Sequence, residues 1–167
     1  MPKEEFWAQV MADTLSAIQE EADQGDVPTR DQLLNFYYIH FEQLAEHRTF
    51  IEVNYGSNIV KLALLEIKGY RSQFQDYCKS LVDRGIDQGI IRNLGLLNTV
   101  YTEGLWFQLL FLFNFWMEDE SIDKEKTDAL IEKTVTSTFD VLEKKEVGST
   151  IDLWKFYFQQ FNFKWGR

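Results

Sequence analysis

The side chains able to do chemistry in this sequence are few, and their spacing argues against catalysis. His40 and His47 are the only histidines. Seven residues apart, they fall on one face of a helix, with Glu42 and Glu46 nearby. A zinc protease needs HExxH and a carboxylate-bridged iron bundle needs Glu-x-x-His, and neither pattern occurs. His40 reads as a partly buried helix residue or a ligand contact. The single cysteine, Cys78, stands mid-helix beside Tyr77, which suits a packed thiol better than a nucleophile. Gly85-x-x-x-Gly89 matches no phosphate-binding loop. Glu103 interrupts an apolar helix, as a buried acid or as a group at a cleft mouth. Nothing assembles an acid, a base and a nucleophile, so the sequence predicts no enzyme, no metal and no cofactor.

Composition narrows the class. The 167 residues hold 27 Asp and Glu against 17 Lys and Arg, a net charge of −10, and 26 aromatic side chains. That aromatic content excludes a disordered chain, and the length fits one domain with its own core. An acidic chain repels the phosphate backbone, and no basic patch offsets this. The N-terminus lacks the apolar stretch of a signal peptide. Leu105 to Met117 has 11 apolar residues in 13, too short for the about 20 that span a bilayer. A cytoplasmic protein without membrane contact is expected.

The elements that position these residues are helices. Prolines occur only at positions 2 and 28, and period-2 alternation is hard to find. Helices are predicted over 3–22, over 29–47 behind a Thr29-x-x-Gln32 capping box, over 49–53 and over 58–88. Gly89 ends the last of these by taking a left-handed conformation. Further helices are predicted over 94–117, over 122–145 with Ser121 as N-cap, and over 149–163.

The helix at 94–117 is apolar nearly all round and must be covered on every side. Leu97, Tyr101, Gly104, Gln108, Phe111 and Phe115 share one side; Thr102, Trp106, Leu110, Phe113 and Met117 lie toward the other. One side can pack within the chain while the other meets a second copy, where Gly104 permits close approach; alternatively, the helix is central in a monomer core. On the next helix Ile131, Val135, Phe139 and Leu142 form a narrow stripe suited to an intermolecular bundle or to an ordinary surface helix. The stretches Tyr101–Trp116 and Trp154–Trp165 together hold 14 of the 26 aromatic residues. Such density suits either a core or a cavity for a planar ligand.

The segment from Leu81 to Leu94, LVDRGIDQGIIRNL, resembles TetR-type transcriptional regulators, in which a long helix ends in glycine and a short Gly-x-x-Arg segment leads into two dimerising helices. Helix order and lengths over Lys3 to Lys145 are similar to that family's C-terminal domain. The resemblance implies an all-α, TetR C-terminal-like bundle of six or seven helices: a linking helix at 1–22, pocket helices at 28–92, dimerising helices at 94–145, and an additional C-terminal helix at 149–163. It implies a homodimer joined through Leu97, Tyr101, Gly104, Gln108, Phe111, Phe115, Ile131, Val135, Phe139 and Leu142. It also implies a pocket for a small apolar or aromatic effector lined by His40, Tyr70, Phe74, Tyr77, Thr102, Glu103, Trp106, Leu110 and Phe113. DNA would be contacted only through an N-terminal three-helix unit that this chain does not contain; residues 1–26 carry seven acids and one base. The alternative is a stand-alone helical carrier of a hydrophobic or lipid-like molecule.

Overall fold

The computed structural model describes residues 3–22, 26–55 and 68–143. Six helices account for most of them: α1 (Lys3–Ala22), α2 (Thr29–Glu46), α3 (Arg48–Tyr55), α4 (Lys68–Asp87), α5 (Thr99–Glu118) and α6 (Glu125–Leu142). No strand occurs among the described residues, and the fold is an all-α bundle as the sequence predicts. The predicted helix at 149–163 and the first part of the one at 58–88 lie outside them.

α1 packs against α2 and α4, α4 against α5, and α6 against α2 and α5. Three-to-four spacing of apolar residues drives this arrangement. On α2, Leu33, Phe36, Tyr37, His40, Phe41 and Leu44 are all buried. On α4, Tyr70, Phe74, Cys78 and Leu81 continue the same core.

Helix ends depart from the expected pattern. At α2 the N-cap is Pro28, already extended at φ −54° and ψ 144°, so the Thr29 capping box does not form. Pro28 has no N–H for a glutamine to reach, and the Gln32 side chain donates instead to the Val27 carbonyl (2.6 Å). Gly89 closes α4 as predicted, at φ +73°. α5 begins later than predicted, after a 3-10 turn at Gly95–Asn98 that opens with Gly95 at φ +62°. α6 likewise starts at Glu125, and Ser121 is not its principal cap. Asp119 fills that role across eight residues: one carboxylate oxygen accepts from the Thr127 N–H (2.9 Å) and hydroxyl (2.6 Å). The other accepts from the Ser121 N–H (2.9 Å) and hydroxyl (2.6 Å). Burial raises the Asp119 pKa, but these four donors outweigh it and hold the carboxyl well below the usual range. At the C-terminus of α5, the Arg48 guanidinium donates to the Trp116 (3.4 Å) and Met117 (3.0 Å) carbonyls and lies over the Trp116 ring. A cation is favoured there by the helix dipole.

The residues expected at a subunit contact sit mostly inside the protomer. Tyr101, Gly104, Gln108 and Phe111 on α5 are buried, Phe115 is half-buried, and Leu97, in the turn before the helix, is 51% exposed. Polar anchors turn this face inward. The Tyr101 hydroxyl donates to the Arg92 carbonyl (2.7 Å), while Gln108 accepts from the Tyr37 hydroxyl (2.7 Å) and donates to Thr138 Oγ1 (2.6 Å). The stripe Ile131, Val135, Phe139 and Leu142 is buried as well, because α6 lays it against α2 and α5.

Candidate functional site in the aromatic core

His40 is fully buried rather than partly, because the α2 stripe points it between α1 and α4. Its Nδ1 lies 2.9 Å from Thr14 Oγ1 on α1, and its Nε2 lies 2.6 Å from the Tyr70 hydroxyl on α4. The Thr14 hydroxyl donates one turn back to the Val10 carbonyl (2.9 Å). With its hydrogen committed there, Thr14 Oγ1 can only accept from His40. That assigns the ring proton to Nδ1 and leaves the Nε2 lone pair to accept from Tyr70. Protons are thus donated in one direction, from Tyr70 through His40 and Thr14 to the backbone of α1. Burial pushes the His40 pKa down to about 3 and the Tyr70 hydroxyl far above its ordinary value, so both are neutral at physiological pH.

Aromatic rings enclose this relay. Phe36 stacks on His40, with centroids 5.3 Å apart, and on Tyr77 from its own side at 5.0 Å. Trp106 meets Tyr70 at 5.9 Å and Phe74 at 6.1 Å. Trp7 meets Tyr70 edge-on at 5.3 Å and Phe113 at 5.5 Å. The Trp7 side chain is buried, and its indole N–H finds no acceptor among the described residues.

Of the residues assigned to a pocket from the sequence, the structure therefore brings together His40, Tyr70, Phe74, Trp106 and Phe113. Tyr77 stands at the edge, half-buried, donating to the Gln32 carbonyl (3.1 Å). Thr102, Glu103 and Leu110 do not join the cluster. Glu103 pairs with Arg71 (2.8 Å) and accepts from Gln75 (2.8 Å), with 38% of its side chain exposed. It is a group at a cleft mouth, not a buried acid. With Thr102 it borders an open groove of about 410 Å³ between α4 and the start of α5. Leu110 is half-buried, outside this ring cluster. A second open groove, of about 540 Å³, lies between α1, α2 and α4 and is edged by Ile18, Tyr77 and Arg84.

Sequence reasoning missed Trp7, Thr14 and Phe36. Phe36 and Trp7 stand directly beside Tyr37 and Phe6, aromatic neighbours within helices that the sequence predicts, and only the width of the buried face adds them. Thr14 follows Asp13 in a mixed segment and carries no local signal, because its partner is 26 residues away.

Among the described residues no helix is long and apolar enough to cross a membrane, and no group of three or more His, Cys, Asp or Glu is placed to hold a metal ion. No curated protein and no solved structure matches the chain. The family described as "Tetracyclin repressor-like, C-terminal domain" matches residues 32–157, well over half of it. The chain therefore belongs to the TetR-like C-terminal domains, a family that generally provides ligand binding and dimerisation in regulators.

Proposed function

We propose that this chain is the effector-sensing and subunit-pairing domain of a TetR-like transcriptional regulator, and that its effector is a small apolar or aromatic molecule received in the core between α1, α2, α4 and α5. The observation that carries this reading is the Thr14–His40–Tyr70 relay inside an aromatic shell. A few polar groups held in fixed orientation within an apolar lining is the make-up of small-molecule sites.

The relay also supplies a route for a signal. Thr14, His40 and Tyr70 come one each from α1, α2 and α4, so a molecule that displaces any of them changes how α1 sits on its neighbours. α1 is the helix that the family resemblance joins to a DNA-reading unit. An effector favouring one of two α1 placements would shift the population between them. Pairing would use the outer faces of α5 and α6, where Leu110, Met117, Leu130 and Val141 are half-buried, together with the exposed Leu97 of the turn before α5, the one of these residues that the sequence also placed there.

Native mass spectrometry of the purified chain tests both parts. A dimer carrying a small hydrophobic molecule supports the proposal. A monomer at micromolar concentration overturns subunit pairing, and a monomer that retains a hydrophobic cargo points to a carrier.

A further inference from the structure

The Trp7 indole N–H is a hydrogen-bond donor that is 2% exposed and has no acceptor among the described residues. Leaving such a group unpaired costs about as much as a hydrogen bond contributes, and native cores contain few of them. Phe6 and Phe113 meet the ring edge-on at 5.2 and 5.5 Å and carry no acceptor. Tyr70, at 5.3 Å, and Tyr55, at 5.7 Å, also pack against the ring, and neither hydroxyl oxygen is hydrogen-bonded to the indole N–H. The site therefore combines flat apolar walls with one unspent donor.

Resting on the effector-sensing reading above, we infer that Trp7 N–H is the polar recognition element for the effector, taking one carbonyl oxygen of a neutral, planar molecule that lies against Trp7, Tyr70 and Phe113. Neutrality follows from the lining. A carboxylate would be desolvated there, and Arg71, which lies over the neighbouring Trp106 ring, is committed to Glu103. The oxygen must be an acceptor because an N–H cannot satisfy another donor.

A matched pair of probes tests this: 2-acetylnaphthalene carries the carbonyl, and 2-ethylnaphthalene has nearly the same shape without it. Affinities are measured by isothermal titration calorimetry on the full chain, with Trp7 intact, with Trp7→Phe, and with Trp7 replaced by benzothienylalanine. The last keeps the ring volume and removes the N–H, so a packing defect in Trp7→Phe cannot decide the result. Removing the N–H is expected to lower the preference for the acetyl over the ethyl probe about tenfold, chiefly by weakening acetyl binding. A preference that is the same in all three proteins overturns the role of Trp7 while leaving effector sensing intact. If neither probe binds the intact chain, both readings fall.

Discussion

Acidification from pH 7.5 to 5 should destabilise this domain through one residue, His40. Its folded pKa is about 3 against 6.5 for a free imidazole, because burial disfavours the charged ring. The unfolded chain therefore binds a proton below 6.5 that the folded chain refuses. Stability is complete above the unfolded pKa and is lost as pH falls through the window toward 3. Linkage puts the loss between pH 7.5 and 5 at about 2 kcal/mol, an average of about 0.8 kcal/mol per pH unit that steepens toward the limiting slope of about 1.4 as pH falls below about 6. Geometry reinforces the sign. A protonated ring would offer a donor to the Tyr70 oxygen, whose own hydrogen now occupies that line at 2.6 Å. Asp128 works the other way, since burial and the nearby Asp119 and Glu132 raise its pKa. Urea denaturation across this pH range measures the slope. His40→Gln, neutral and able both to donate and to accept, is expected to cost about 1–2 kcal/mol at pH 7.5 and to remove most of the slope. The reasoning fails if His40→Gln retains the slope, or if the His40 ring resonances titrate with a midpoint near 6 in the folded protein.

Three further outcomes follow from particular contacts. Asp119→Ala should cost about 1–2 kcal/mol in chemical denaturation, because it strips the Thr127 N–H and hydroxyl of their acceptor at the start of α6. Gly85→Ala should destabilise by about 1–3 kcal/mol despite its better helix propensity, since the new Cβ would lie 2.5 Å from Ile91 Cδ1 and 2.8 Å from Cγ1. Combined with Ile91→Ala it should cost clearly less than the sum of the two single changes, a coupling that a double-mutant cycle reads directly. Gln108→Leu, although apolar and of similar size, should destabilise by about 1–3 kcal/mol in the same assay, because it leaves the buried Tyr37 hydroxyl without its acceptor and Thr138 without a donor. An unchanged denaturation midpoint in Gln108→Leu would show that these hydrogen bonds contribute nothing net.

Where structure follows from local pattern, the sequence was readable. The α2 stripe and the stop at Gly89 are set by three-to-four spacing and by one glycine that takes a positive φ. The start of α6 was not readable, because its cap reaches from Asp119 to Thr127, beyond the span of any capping motif. Nor was the delayed start of α5, where Asn93 and Asn98 side chains accept from the Gly95 and Leu94 N–H groups and sustain a turn that an apolar run conceals. Five of the nine residues assigned to a pocket, His40, Tyr70, Phe74, Trp106 and Phe113, fall in one aromatic cluster, because aromatic residues on α4 and α5 share faces with visible stripes. The rotation of α5 was not readable. A helix apolar on all sides gives periodicity nothing to measure, so the division into a pocket face and a partner face rested on glycine and tryptophan positions alone.

Polar residues settle that rotation. The Tyr37 hydroxyl donates to Gln108 Oε1, Gln108 Nε2 donates to Thr138, and the Thr138 hydroxyl donates to the Thr134 carbonyl (2.9 Å). This chain repeats the logic of Tyr70, His40, Thr14 and Val10: a tyrosine begins it, a planar two-ended side chain relays it, and a threonine ends it on the carbonyl one turn back. α2 takes part in both, through Tyr37 and His40, three residues apart on one face. One relay ties α2 to α5 and α6, and the other ties it to α1 and α4. Apolar contacts alone would tolerate α5 at many angles, since each face offers similar surface. A buried Gln108 tolerates only the angle at which both its ends are satisfied. Because α2 holds both relays, a displacement of His40 in the core is felt at the same helix that fixes Gln108. Under the proposed effector-sensing role, a molecule bound beside Tyr70 would thereby act on the packing of α5 and α6 as well as on α1.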